Sequence, residues 1–551
     1  MTISLTRHAR YLLTLALAAS IHFGAGCNST NNNQPDGSVD GGADAGIDTT
    51  CEDGLPSTPF DSSATITAYD QPAPDFTVNT TDGEWTLSEH WTGCDNYVFV
   101  MYNSGYGTGA DQLWASSVAE IIDDSAPNTH YFFVTLEAGL ATGDREARVL
   151  EVCDKIQTHL ETTDQATRDH WADRMHYVTD FGRDIPVVDG VLDVCPGEVH
   201  FTIDRKQLVR EGHNTSYFTG SSWVPQFGNT RYWARYYNAQ YLLDEQLEEQ
   251  EAGENMLVHR VADREDIAGS EPFNWTLPDA ATIAGYEKLE IDMHVDCPGA
   301  GHPYGSTCGE WDTVGSLWLC ADDDCTAETR RRIVKWITPY SSPGRWVIDI
   351  TPELVHLAAG GELRFMAQHG DNTVGPYTYK YTVDFRFLKA EDGLRPFAIE
   401  PMIPMANYPF ADMADTFDPF VITPPSGTQK VELYARISGH GAVTPSGCAE
   451  FCTFEHTFDV NGTEHQHVYL MENENRCAQW VELGVTPNQG GTWHFDRSSW
   501  CPGWTIEEWR EDLTESFDLT GANTVNHIPT YLSGDPPGGN MDARVEIVFY
   551  Q

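Results

Sequence analysis

Two hydrophobic rhythms divide this chain. Up to about residue 250, unbroken apolar runs alternate with stretches of helical spacing. The runs 96–102 (Asn-Tyr-Val-Phe-Val-Met-Tyr) and 131–136 (Tyr-Phe-Phe-Val-Thr-Leu) have no polar face, which suits strands covered on both sides. Between them Leu113, Val118, Ile121 and Ile122 recur at helical spacing and predict a helix over 111–122. Residues 200–204 read as a later strand, and 237–251, with Tyr241, Leu242 and Leu247, as a polar-faced helix. This succession predicts an α/β layer. From about residue 254 the rhythm becomes strict alternation, as in 288–295, where Leu289, Ile291, Met293 and Val295 share one face. Residues 345–350, 362–367, 379–388, 430–437 and 544–550 also read as strands, set apart by Gly, Pro and Asp turns. Short strands of this kind predict sandwiches or jelly rolls. Roughly 300 residues is too much for one, so two are expected, with a break at 389–404.

The N-terminus has a different pattern. Arg7 and Arg10 precede an apolar run, 12–21, that is too short to span a membrane and reads as an export signal. Gly24-Ala25-Gly26-Cys27 then resembles a bacterial lipobox, making Cys27 the expected lipid anchor; ordinary cleavage nearby is the alternative. Residues 28–59 are rich in Asn, Asp, Gly, Ser and Thr and read as a flexible tether. The expected layout is a signal peptide (1–26), a lipid-anchored tether (27–60), an α/β domain (61–253) and two sandwiches (254–395 and 396–551). The protein is therefore expected at the outer membrane or cell surface, or secreted, and to meet the membrane only through its anchor.

Charge narrows the partners. With 32 Lys and Arg against 83 Asp and Glu, the formal charge is −51, which repels phosphate backbones and excludes nucleic acid. The 16 Trp and 23 Tyr offer faces that can stack on sugar rings, although most belong in cores. Setting Cys27 aside leaves twelve of the thirteen cysteines, an even number that favours disulfides in an oxidising compartment. No CxxC pair or finger-spaced histidines point to zinc.

Three segments carry candidate chemistry. Gly447-Cys448-Ala449-Glu450-Phe451-Cys452 holds a carboxylate in a loop that two cysteines can close. Cys308-Gly309-Glu310-Trp311-Asp312 places acids beside a cysteine, with Cys297 upstream. The third, 496–503, sets Arg497 and Trp500 beside Cys501. Taken singly, Glu450 reads as a solvated rim residue, Asp312 as a turn cap and Arg497 as a structural ion pair. Together they offer a base, a second acid and a cation, the parts needed to activate water and steady an oxyanion. Separately, His465-Gln466-His467 puts two imidazoles on one strand face, a spacing that suits copper. No second histidine cluster accompanies them in the preceding sandwich, so no cofactor or metal is expected.

Two family resemblances bear on these readings. Region 71–250 resembles the thioredoxin/peroxiredoxin-like fold in Ala73-Pro74-Asp75-Phe76, the strand 98–102, Ile185-Pro186 and 201–204. Where that family has redox cysteines, this chain has Asn103-Ser104-Gly105-Tyr106-Gly107-Thr108, so a non-redox scaffold is implied. Cys153 and Cys195 remain able to pair within it. Region 273–551 resembles the peptide:N-glycosidase F family, secreted bacterial amidases of two adjacent jelly rolls that remove N-linked glycans. The likeness lies in 308–312, 336–340, 381–385, 437–439, 447–452 and 496–503.

The second resemblance implies that Asp312 is the catalytic base, Glu450 the second acid and Arg497 the active-site arginine. It also implies that Ile337 and Trp500 line the cleft, with Glu310, Gln368 and His440 as further substrate contacts. It implies disulfides Cys297–Cys308, Cys448–Cys452 and Cys477–Cys501, and leaves Cys320 and Cys325 close enough to pair. Departures stand beside these matches: Gln368 replaces a third acid, Gly370 and His440 replace tryptophans, Ala442 replaces a histidine and Phe451 a tryptophan. The expected function is an amidase acting on the glycosyl-asparagine bond of N-glycopeptides. The alternatives are a non-catalytic glycan-binding or adhesion lipoprotein and a copper-dependent monooxygenase-like protein.

Overall fold

The apolar run 96–102 becomes the strand Asn96–Tyr102, buried at all seven positions, at the heart of a seven-stranded sheet. In this computed structural model the residues described are 50–65, 67–137, 139–212, 216–219, 222–253, 255–268, 271–296, 311–340, 342–369, 378–441, 449–469, 476–487, 493–495, 497–532 and 539–551. They form two compact units, one up to Leu242 and one from Leu243 onward. The expected leader, Cys27 and most of the tether lie outside the described residues, as do Cys297, Cys308, Glu310, Gly370, Ala442 and Cys448. Among the described residues no helix is long and apolar enough to cross a membrane.

In the first unit the sheet order is Gly83–Thr86, Thr77–Thr80, Met175–Phe181, Thr129–Thr135, Asn96–Tyr102, His200–Ile203 and Val209–Arg210. The three strands Met175–Phe181, Thr129–Thr135 and Asn96–Tyr102 are parallel, and their other neighbours are antiparallel. Alternation along Asn96–Tyr102 feeds two cores: Val98 and Val100 pack with Leu113, Ile121 and Val152, Phe99 and Met101 with Val187 and Val191. The helix expected over 111–122 is two pieces, Thr108–Ala115 and Ala119–Asp124. Ser116 breaks it, because its hydroxyl donates to the Leu113 carbonyl and accepts from the Phe227 amide. The last helix starts earlier than its polar face suggests, at Arg231, whose guanidinium pairs with Glu120 and Asp124.

The sequence leaves the cysteine pairing of this unit open. Cys51 bonds Cys94, and Cys195 is a free, buried thiol, so it does not pair with Cys153, which is itself disulfide-bonded.

The second unit holds two antiparallel sandwiches of four-stranded sheets. In the first sandwich one sheet orders Met256–Ala268, Thr378–Leu388, Lys288–Asp296 and Gly344–Asp349; the other orders Pro272–Asp279, Gly360–His369, Val314–Cys320 and Arg330–Ile337. Leu289, Ile291, Met293 and Val295 all face the core between them. The second sandwich pairs Pro396–Pro409, Asn540–Tyr550, Lys430–His440 and Glu508–Asp512 with Phe420–Ile422, Asn523–Tyr531, Phe454–Val460 and Thr463–Tyr469. The segment read as a break, 389–404, is strand from Pro396 onward and pairs with Asn540–Tyr550 through three register shifts. Its prolines are tolerated because it is the edge strand of its sheet.

Charged side chains join the two sandwiches. Arg332 forks onto Asp542 at 2.8 and 2.6 Å, and Lys335 reaches the same carboxylate at 2.8 Å. Arg331 bridges Glu353 and Glu546, and Arg436 and Arg544 close the group on Glu353. Buried pairs of this kind specify an arrangement more than they stabilise it, since desolvation offsets much of the attraction.

Candidate active site

The site begins with backbone latches. Asp312 precedes the strand Val314–Cys320 and is pinned to the end of Arg330–Ile337 through Thr338. The Thr338 hydroxyl donates to the Trp311 carbonyl at 2.8 Å and accepts from the Thr313 amide at 2.9 Å. Glu450 is fixed by a close approach: a Cβ on Gly439 would stand 1.7 Å from the Ala449 carbonyl oxygen, so only glycine admits the segment there. The Ser498 amide donates to the Glu450 carbonyl at 2.8 Å, and the Gly439 amide to that of Ser498. Arg497 opens a tight turn closed by its amide on the Trp500 carbonyl at 3.0 Å. Ser499 in that turn takes the left-handed conformation, φ 71°, a strain tolerated where the surroundings hold it. The disulfide Cys477–Cys501 anchors the turn.

These latches bring three side chains together. Arg497 Nη2 stands 3.3 Å from Asp312 Oδ2 and Arg497 Nε stands 3.6 Å from Glu450 Oε1. The guanidinium is buried at 1% exposure, while the carboxylate side chains keep 20% and 18%. Both acids therefore retain an open edge. Burial pushes the Asp312 carboxyl above its ordinary range, and Arg497 and a hydrogen bond from Tyr340 pull it back only in part. Burial also raises Glu450, with Arg497 opposing and Asp312 adding to the rise. One guanidinium facing two carboxylates leaves a net negative charge and a carboxylate more basic than a solvated one. The faces of Phe451 and Trp500 lie 5.2 and 5.1 Å from the guanidinium carbon.

The other expected site residues are placed differently. Ile337 and Trp500 are buried, at 0% and 3% exposure, in a small cluster with Ile506 and Val314. They pack behind the arginine and offer no open face to a sugar. His440 ends the strand Lys430–His440 half-buried and stacks on Trp500 at 5.5 Å. Gln368 is half-buried on Gly360–His369, opposite Ser316. Cys320 bonds Cys325, and Cys452 is disulfide-bonded. His465 and His467 face acids, Glu511 at 3.3 Å and Glu507 at 3.1 Å. Among the described residues no group of three or more His, Cys, Asp or Glu is arranged to hold a metal ion.

Sequence reasoning missed Tyr340, which is buried and donates to Asp312. It lies in the matched segment 336–340, yet a tyrosine after a proline announces no chemistry until its partner is placed.

Residues 407–543 match the family described as "Peptide-N-glycosidase F, C terminal". No curated protein matches the chain. Among solved structures, recombinant peptide:N-glycanase F aligns at 22% identity and TM-score 0.43, over 54% of this chain and 96% of that one. PNGase F, described as a glycosylasparaginase from Flavobacterium meningosepticum, aligns at 22% identity and TM-score 0.42, with the same coverage. PNGF-II aligns at 10% identity and TM-score 0.39, over 55% of this chain and 68% of that one.

Proposed function

We propose that this chain, whose residues 407–543 match the C-terminal model of the peptide-N-glycosidase F family, is an amidase that hydrolyses the glycosyl-asparagine bond of N-glycopeptides. Asp312 is the general base. It takes a proton from water as the water oxygen attacks the side-chain acyl carbon of the glycosylated asparagine. The carbon–nitrogen bond then breaks, the proton held on Asp312 passes to the leaving nitrogen, which departs as a glycosylamine, and the peptide retains an aspartate. An amide is a weak electrophile, so the base must be stronger than a solvated carboxylate and the oxyanion must meet a donor. Burial supplies the first requirement at Asp312. Arg497 holds both acids and supplies positive charge beside the developing oxyanion. Glu450 positions the water or binds the first sugar.

The observation that carries this reading is the single guanidinium within ion-pair reach of two partly open carboxylates. Incubating the full chain with an N-glycopeptide and weighing the products tests it: aspartate-containing peptide and free glycan must appear, and Asp312→Asn must abolish both. A second reading, a non-catalytic glycan-binding lipoprotein, draws on the uncharged Gln368. It requires glycopeptide retention without turnover.

The first unit fits a thioredoxin-like scaffold without redox chemistry. Its parallel strands flanked by antiparallel ones support that reading. Burial and the neighbouring Glu198 push the free Cys195 thiol up to about 12, which leaves no thiolate at neutral pH. The apolar leader and Cys27 support export and lipid anchoring.

A further inference from the structure

Lys335 is buried on the strand Arg330–Ile337, and each of its ammonium protons has a taker. Its Nζ lies 2.8 Å from Asp542 Oδ2, 2.6 Å from Ser438 Oγ and 3.0 Å from His440 Nε2. Ser438 Oγ is itself 2.9 Å from that same Nε2. An ammonium has three donors and no acceptor, so a ring nitrogen against it must present its lone pair. The single ring proton of a neutral imidazole then sits on Nδ1. Protonation of the ring is also disfavoured. Burial pushes His440 well below its ordinary value, and Lys335 and Arg332, both on Arg330–Ile337 of the other sandwich, add to the effect against the opposing pull of Asp542.

One face of the ring lies against the indole that backs the site. His440 stacks on Trp500, 5.5 Å between centroids and 24° between planes, and Trp500 in turn lies 5.1 Å from the Arg497 guanidinium. The imidazole is thus one indole away from the residue that holds Asp312 and Glu450. Its Nδ1 hydrogen-bonds no group among the described residues, and the ring is only half-buried.

We propose that Lys335 is a positioning residue that holds His440 as the Nδ1–H tautomer, so that the cleft rim presents a neutral hydrogen-bond donor to an acceptor on the sugar carried by the scissile amide. This deepens the amidase reading and rests on it for the ligand. It does not rest on it for the tautomer. It also gives the buried lysine a task that packing alone does not require. Burial, opposed by Asp542, brings the Lys335 ammonium down to about 8. Below that pH the donor lock holds. Above it the free amine gains a lone pair and Nε2–H becomes tolerable, so the lock relaxes.

The test uses the full chain in two arms. In the first, long-range nitrogen–proton spectra of histidine-labelled protein report the His440 tautomer, with its signals assigned by their loss in His440→Asn. At pH 7 the expected pattern is Nδ1–H, with Nε2–H growing in as pH rises past about 8. An Nε2–H pattern at pH 7 overturns the proposal, whatever the protein's activity. The second arm measures kcat and KM on an N-glycopeptide. One hydrogen bond corresponds to about a five-fold change. Lys335→Met is expected to raise KM by about that factor with kcat nearly kept, and Lys335→Arg, which still donates to Nε2, to restore most of it. His440→Asn, whose amide nitrogen takes the place of Nδ1, is expected to keep a lower KM than His440→Phe, which behaves like Lys335→Met. Equal KM for the Asn and Phe variants overturns the donor role. If the wild type cleaves nothing, the amidase reading fails. Calorimetric Kd values for the glycopeptide on the same variants then decide the donor role by the same ordering.

Discussion

Arg497 Nη2 lies 3.3 Å from Asp312 Oδ2 across 185 residues of sequence. The same guanidinium reaches Glu450, so one buried cation opposes the rise that burial imposes on both acids.

Removing that cation therefore has a signed consequence. Arg497 lowers both carboxyl groups. In Arg497→Met the acidic limb of kcat/KM moves to higher pH, because Asp312 must lose its proton at a higher pH to act as base. The loss of kcat is expected to be about 10²–10³-fold, the range for a lost oxyanion donor. Arg497→Lys keeps the charge but not the fork, and falls between. A pH–rate profile of the two variants checks both statements.

Gly439→Ala tests the latch beneath Glu450. The added Cβ would meet the Ala449 carbonyl at 1.7 Å, so the segment carrying Glu450 must move. Overpacking of this kind costs about 1–3 kcal/mol. Turnover should fall further than the urea midpoint implies, because the displaced group is an acid of the site. Equal activity in the alanine variant would mean that Glu450 is not held there.

The disulfide Cys477–Cys501 closes a separation of 24 residues next to the Arg497 turn. Replacing both cysteines with alanine is expected to lower stability by about 3 kcal/mol, measured as the shift in denaturant midpoint, and to reduce kcat at temperatures where the chain stays folded.

Mild acid should destabilise the second unit through its buried neutral histidines. Burial drives His369 down to about 3 and His527 down to about 4. Burial and the charge of Arg497 drive His494 down to about 4. The unfolded chain binds these protons near the ordinary 6.5, so unfolding takes up protons and stability falls as pH drops from about 6.5 toward 4. Glu353, lowered to about 2 by its arginines against its burial, adds a second loss as pH falls from its ordinary 4.5 toward 2. Urea midpoints at pH 7, 6 and 5 should decrease in that order, and a flat series contradicts the assignment.

The strands were legible where one face or both carry the whole message. Alternation marked Leu289 through Val295, and unbroken apolarity marked 96–102. The break at Ser116 was not legible, since it depends on the Phe227 amide 111 residues away. Nor was the strand hidden under the prolines of Pro396–Pro409, which edge position alone permits. Asp312, Glu450 and Arg497 entered through a family likeness, because no local pattern announces a contact across 185 residues. Lys335 escaped notice because a lysine in a strand reads as a solvent-facing residue, yet Arg330–Ile337 is buried at its last six positions. Here that face meets Asp542 of the second sandwich.

The central claim is that Asp312 draws a proton from water beside a glycosylated amide. The decisive measurement is the mass of the peptide product after incubation with an N-glycopeptide, for the full-length chain and for Asp312→Asn at matched folding. The account predicts an aspartate-containing peptide from the wild type and intact glycopeptide from the variant. A variant that releases the glycan at the wild-type rate, or a wild type that leaves the glycopeptide whole, contradicts it.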